Sequence, residues 1–329
     1  MKLTSVTWGG LIGCALLLAG CGKTGKPAAK GEPFKVTLQT DWYAQAEHGG
    51  FYQAVATGLY QAGGLEVKIN QGGPGAFGMQ KVATGQTEFA TGRSDDVLLA
   101  AGQGLPIVIV GAFMQHDAQA LLLHANNPVR DFPQLDGKVV MAAPGLGWIR
   151  YLEARYKIKL NLVPLNYGLA QFMADPDFIQ QCYVTNEPYF VRQNGVEPRT
   201  MLISDTGYDP YRVIFTSQRF LREHPDVVRA FVDASLKGWA AFLDQDNSQA
   251  KALIRKANDK MEDGVMNFTV DALKSHRLVG GRSEAGEYLG LLAPARMQEQ
   301  IATLVDLGLL EKPVQLDKVA TFEFVPPAP

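Results

Sequence analysis

FKVTLQTDWYAQAEHGGFYQAVATGLYQAGGLEVKIN, residues 34–70, holds the pattern that decides the fold. Phe34 to Thr40 alternates apolar and polar residues, as a strand with one buried face does. From about Gly50 to Gln61, Phe51, Val55 and Leu59 recur every four residues, the spacing of one helix face. Gly63-Gly64 ends that helix, and Leu65 to Asn70 alternates again. Strand, helix and strand in this order form a βαβ unit, with the helix packed on a parallel pair.

The same alternation continues downstream. A Gly-rich turn at Gly72-Gly73-Pro74-Gly75 precedes a short helix through Val82. A strand near Thr87 to Thr91, a helix from Ser94 to Ala101 and a strand from Ile107 to Phe113 follow. A second set of strands is expected at Ala120 to Ala125, Lys138 to Ala143, Leu160 to Leu165, Gln180 to Val184, Thr200 to Ser204 and Arg212 to Thr216. Gly147 to Tyr156 reads as an amphipathic helix among them. After Pro225 the chain turns helical, with Val228, Val232, Leu236 and Leu243 tracing an apolar stripe widened by Phe231, Trp239 and Phe242. The class is α/β with mostly parallel strands in two lobes: residues 34–118 with 217–325, and residues 119–216. The chain is expected to cross between them near Ala118 to Leu122 and near Arg212 to Ser217.

Upstream of Phe34 lies a different kind of sequence. Lys2 precedes an apolar run from Leu11 through Leu18, far shorter than the ~20 residues of a bilayer-spanning helix. Leu18-Ala19-Gly20-Cys21 then resembles a bacterial lipobox, in which residues 1–20 are a lipoprotein signal peptide and Cys21 is lipidated. The 12 residues Gly22 to Pro33 contain no large apolar side chain, so 21–33 reads as a flexible tether spanning roughly 20 Å. An exported protein held at the cell envelope by its lipid is the expectation.

The formal charge of −2 becomes −3 once Lys2 leaves with the leader, and no basic excess points to nucleic acid. Hydrophobic residues make up 47% of the chain, enough for a full core without cross-links. Cys14 lies in the leader and Cys182 has no partner, so no disulfide framework or Cys-rich metal site is expected. None of the five histidines stands four residues from another, and no G-x-S-x-G motif occurs. Neither a metal nor a cofactor is expected.

Further motifs carry a family resemblance. Asp41-Trp42-Tyr43, Glu47-His48-Gly49-Gly50-Phe51-Tyr52, Gly58-Leu59-Tyr60 and Gly64-Leu65-Glu66-Val67 open a series. It continues through Gly85-Gln86-Thr87-Glu88-Phe89, Leu135-Asp136-Gly137-Lys138, Tyr183-Val184-Thr185-Asn186-Glu187-Pro188 and Glu223-His224-Pro225-Asp226. In order and spacing this resembles the NMT1/THI5-like family, which groups periplasmic solute-binding proteins of ABC importers with thiamine pyrimidine synthases. The resemblance implies a type II periplasmic binding protein, with two lobes, a two-stranded hinge and a small molecule between them. It also implies an ABC permease and ATPase as partners, and a monomeric receptor tethered beside them.

In open α/β sheets ligands sit beyond the carboxyl ends of strands. That rule selects Asp41, Trp42, Tyr43 and His48 after the first strand, Gly73 in the glycine turn, and Arg93 and Ser94 at the next strand-to-helix junction. In the second unit it selects Gly145, Tyr167, Glu187 and Tyr189. Trp42 either plugs a core edge or offers a stacking face to a flat heterocycle. Ser94 reads as a helix cap in preference to a ligand group. Glu187 reads either as a surface residue in a helix's first turn or as the carboxylate that takes N–H bonds from an aminopyrimidine. The resemblance favours the latter, since the family's pyrimidine binders place a glutamate and aromatic rings there.

The synthase branch of that family is an enzyme. This chain lacks its cysteine cluster between Tyr208 and Ser217, has Gly92 at its cofactor-lysine position, and carries Asp95 and Asp96 near its reactive histidine. A receptor is therefore expected, for a thiamine-related pyrimidine or similar ring. Nitrate, sulfonate or taurine is the alternative cargo, disfavoured by Asp41, Glu47 and Glu187 unless Arg93 and Arg150 face inward.

Overall fold

In the computed structural model, residues 32–329 are described, so the expected signal peptide, the lipidation site Cys21 and most of the tether lie outside the described residues. Ten strands are named in chain order: β1 (Phe34–Gln39), β2 (Leu65–Asn70), β3 (Phe89–Arg93), β4 (Ile107–Met114), β5 (Gln119–His124), β6 (Val139–Ala142), β7 (Asn161–Pro164), β8 (Ile179–Tyr183), β9 (Pro198–Leu202) and β10 (Arg212–Ser217). They form two five-stranded sheets, ordered β2-β1-β3-β10-β4 and β7-β6-β8-β5-β9. The opening βαβ unit is as its periodicity predicts, with β1 parallel to β2 from Phe34↔Leu65 to Gln39↔Asn70.

Both sheets share one plan. Three parallel strands (β2-β1-β3 and β7-β6-β8) are followed by one antiparallel strand placed before the edge. That strand is β10 in the first sheet and β5 in the second. Four of the five strands in each sheet therefore run the same way, as the expectation of mostly parallel strands has it, and the fifth is reversed because it arrives from the other sheet. The passages between sheets run through residues 115–118 and 203–211. All of β10 lies in the first sheet, although a boundary at 216/217 would divide it.

The expected helix over Gly50 to Gln61 is two helices, Gly49–Ala56 and Leu59–Ala62, because Gly58 at φ 72° breaks the chain in the left-handed region. The long Pro225–Asp244 helix buries Val228, Phe231, Val232, Leu236, Trp239 and Phe242 of the stripe its sequence predicts, with Leu243 half-buried. It packs on Gly49–Ala56 almost backbone to backbone: a Cβ on Gly238 would sit 2.2 Å from the Gly50 carbonyl oxygen. Phe113 stacks on Trp239 at 5.5 Å beside Phe51, fixing this pair of helices on the first sheet. In the second sheet Leu121, Val140, Trp148 and Ile179 form a separate buried cluster. The described residues include no helix long and apolar enough to cross a membrane.

This plan positions the site. The strand order reverses around β1 and β3, and again around β6 and β8, so each sheet has a crevice beyond those strands' carboxyl ends. Asp41 follows β1, Arg93 ends β3, Ala143 follows β6 and Glu187 follows β8. All four line one cavity.

Candidate functional site

A cavity of about 420 Å³ lies between the two sets of strand ends, within the ~300–1,000 Å³ common for small-molecule sites. Of the residues expected from sequence, Asp41, Trp42, His48, Gly73, Arg93, Tyr167 and Glu187 line it. Tyr43, Ser94, Gly145 and Tyr189 are absent from the lining. Tyr43 supports Trp42 edge-on at 5.4 Å and is itself exposed. Ser94 is fully buried, donating to Gln300 Oε1 at 2.5 Å and accepting from the Tyr211 N–H at 3.0 Å. It makes no side-chain cap, because the helix already begins at Ser94 with Arg93 as its N-cap. Gly145 has open space around it, and Tyr189 packs against Phe190 and Phe268.

One wall is aromatic. Trp42 and Tyr167 meet in the lining with ring centroids 5.3 Å apart. Tyr167 is 62% exposed and Phe77, also in the lining, is 66% exposed, the most open large apolar residues described. Both hold φ near +50 to +61°, where a bulky residue is strained. Backbone strain of this kind is characteristic of functional positions. Trp42 is set by the glycine turn beneath it: a Cβ on Gly72 would lie 2.2 Å from the Thr40 carbonyl oxygen. Thr40 also hydrogen-bonds the Trp42 carbonyl at 2.7 Å.

The polar groups separate into a satisfied set and an open one. Asp41 takes bonds from Arg212, from Thr91 Oγ1 at 2.7 Å and from His48 Nε2 at 3.1 Å. Burial alone would raise the Asp41 carboxyl, but Arg212, His48 and Thr91 together hold it well below the usual range. Arg93 meets Asp96 at 2.9 Å, Asp95 at 3.2 Å and Gln119 Oε1 at 3.0 Å. Both lining arginines are therefore already neutralised. Arg150 is exposed and bonds the Leu307 carbonyl, outside the lining.

Glu47 and Glu187, from different halves of the chain, both line the cavity. Glu187 opens the short helix Glu187–Gln193, as its surface reading required, yet it also lines the cavity. Its Oε2 accepts the Tyr183 N–H at 2.8 Å. Glu47 accepts from Thr185 Oγ1 at 2.6 Å, a bond between the two halves of the molecule. Burial pushes both carboxyls up, and the charge of Glu187 raises Glu47 further.

The sequence reading missed Phe77, Asp117, Gln119 and Arg212 as lining residues. Phe77 stands in an irregular loop with no periodicity to expose it. Asp117 and Gln119 flank the first passage between sheets, a place defined only once both sheets exist. Strand-end position was the available signal for Arg212, the first residue of an antiparallel strand and hence at the same end as Arg93.

Known proteins resemble this chain in sequence and in fold. The model of the family described as NMT1/THI5 like matches residues 45–248. A riboflavin-binding protein, RibY, of Chloroflexus aurantiacus is 27% identical over 99% of both chains. A formylaminopyrimidine-binding protein of Halalkalibacterium halodurans is 22% identical over 68% of this chain and 71% of its own. Among solved structures, the periplasmic aliphatic sulphonate binding protein SsuA of Escherichia coli superposes with a TM-score of 0.65 at 13% identity. That match covers 87% of this chain and 91% of the other, and it shows a shared type II periplasmic binding protein fold.

Proposed function

Since the chain belongs to the NMT1/THI5-like family, we propose that it is the solute-binding protein of an ABC importer for a flat nitrogenous heterocycle. One observation carries this reading: a single cavity sets the Trp42–Tyr167 aromatic wall against five carboxylates and only two arginines, both already paired. Stacking suits a planar ring, and like charges in a dry site disfavour a small anion. The sulfonate-type alternative needs an available cation, and Arg93 and Arg212 are committed to Asp95, Asp96 and Asp41.

Cavity size separates the candidate rings. A volume of about 420 Å³ suits a drug-sized solute better than a lone six-membered ring. The relative that spans both chains almost completely is named for riboflavin, whose tricycle fits that expectation. A formylated aminopyrimidine, the cargo in the other relative's name, shares the donor-bearing edge that Glu47 and Glu187 favour.

In this reading the protein performs no reaction, and the lobe built on the first sheet, with all of β10, closes on the lobe built on the second around its cargo. Ligand contacts to both lobes favour the closed state. Export through residues 1–20 and lipidation of Cys21 place a monomer at the periplasmic side of a membrane, beside a permease and its ATPase. Titration of the soluble body with riboflavin, a formylaminopyrimidine and taurine tests the proposal. Micromolar or tighter binding of either heterocycle, with none for taurine, is expected. Taurine binding without heterocycle binding overturns it.

A further inference from the structure

Five residues of the cavity lining carry a buried polar atom without a hydrogen-bond partner: His48 Nδ1, Arg93 Nε, Gln180 Oε1, Asp117 Oδ1 and Gln119 Nε2, of which the last two flank the first passage between sheets. Asp117 is 3% exposed and Gln119 2%, so solvent does not serve them freely. Their surroundings fix what each atom offers. Gln119 gives its Oε1 to Arg93 Nη1 at 3.0 Å, and a guanidinium can only donate. The amide orientation is thereby decided, and Nε2 is left as a buried donor without a partner. Asp117 is held by its own N–H, which donates to Asp209 Oδ1 at 3.1 Å. Asp209 lies in the second passage between sheets and is itself clamped by His116 at 2.6 Å and Arg296 at 3.0 Å. The acceptor Asp117 Oδ1 therefore sits on a rigid support at the point where the sheets join.

Resting on the heterocycle reading above, we infer that Asp117 and Gln119 recognise a ring edge bearing one N–H donor beside one acceptor, as a cyclic imide or an aminopyrimidine does. The N–H donates to Asp117 Oδ1, and the adjacent carbonyl or ring nitrogen accepts from Gln119 Nε2. Leaving both protein groups unmade disfavours any ring without that edge, so the pair acts as a specificity filter. Trp42 and Tyr167 accept any flat ring, whereas these two atoms choose among them. The filter lies at the junction of the two halves, so a ligand that satisfies it engages the residues about which they close.

The test changes the ligand before it changes the protein. Riboflavin carries an imide N–H between two carbonyls, and 3-methylriboflavin replaces that hydrogen with a methyl group. Both are titrated by quenching of flavin fluorescence. Wild-type protein is expected to bind the methylated compound about 10- to 100-fold more weakly. In Asp117→Ala and Gln119→Leu variants, checked for folding by circular dichroism, the methyl group should cost much less than in wild type. Equal wild-type affinity for the two flavins overturns this inference and leaves the importer reading standing. No riboflavin binding at all overturns the flavin reading beneath it, and the inference with it.

Discussion

Trp42 and Tyr167 meet in the cavity lining with ring centroids 5.3 Å apart and planes inclined by 34°. Trp42 follows β1 of one sheet and Tyr167 follows β7 of the other, so the pair closes a gap that nothing in the local sequence spans. A planar solute entering between them exchanges a protein–protein stack for two protein–ligand stacks.

That exchange gives the first prediction. Trp42→Ala and Tyr167→Ala should each weaken riboflavin binding by about 1–2 kcal/mol, the stacking contribution plus lost apolar area. Tyr167→Phe should bind as wild type does, since its phenol is exposed and the ring is the useful part. Isothermal titration calorimetry of the three variants checks this, with unchanged melting temperatures as the folding control.

Acid dependence has a definite sign at Glu47 and Glu187. Both titrate higher folded than unfolded because burial disfavours their charge. Below the unfolded range, around pH 4.3, both states are protonated and the residues cost nothing. As pH rises the unfolded chain ionises first, and a penalty grows until the folded carboxyls also ionise. The ligand-free protein should therefore gain stability when acidified from neutral pH towards the mid-acid range. Glu47→Gln with Glu187→Gln should flatten that gain in thermal melts across pH, and a variant that keeps it refutes the assignment.

Glu187→Gln also separates stability from function. Removing a poorly solvated charge should raise the melting temperature of the empty protein at pH 7–8. Binding of an aminopyrimidine should weaken by about 1.5–3 kcal/mol, the range for a hydrogen bond to a charged group. A titration with unchanged affinity excludes Glu187 from ligand contact.

Asp41 behaves in the opposite way. Its carboxyl is held low by Arg212, His48 and Thr91 against the opposing effect of burial. Its stabilisation is present above the unfolded value, about pH 3.9, and is lost as pH falls through the folded one. Asp41→Asn should cost about 2–3 kcal/mol at pH 7, below the full ~3–5 kcal/mol of a broken buried pair because Asp41 is partly exposed. Urea denaturation measures it.

The contact between the Gly49–Ala56 and Pro225–Asp244 helices admits no side chain. Gly238→Ala would press its methyl group to 2.2 Å from the Gly50 carbonyl oxygen and 2.7 Å from Ala54 Cβ. Neither helix can yield locally against Phe51 and Trp239, so a loss of about 3 kcal/mol or more is expected, with poor expression as the first symptom.

Cys21→Ser should abolish incorporation of labelled fatty acid and move the protein from the membrane to the soluble envelope fraction. Retention in the membrane fraction without label would contradict the lipid anchor.

Local periodicity determined much about this protein. The 34–70 segment alternates with period two, then with a helical period, then with period two again, and the βαβ unit follows because only that arrangement buries both apolar faces. The stripe on the 225–244 helix was legible for the same reason. Trp42, His48, Arg93 and Glu187 could be selected because they stand at strand ends, a position countable along one chain. Pairing between distant segments was beyond that reach. The antiparallel insertion of β5 and β10, the Trp42–Tyr167 stack and the unpartnered atoms of Asp117 and Gln119 each depend on two sheets meeting. Remote partners also withdrew Ser94 into the interior, against Tyr211 and Gln300, and turned Tyr189 towards Phe268. Side-chain periodicity records which face of an element is buried, but not which remote residue buries it, and that second choice decides what a cleft can bind.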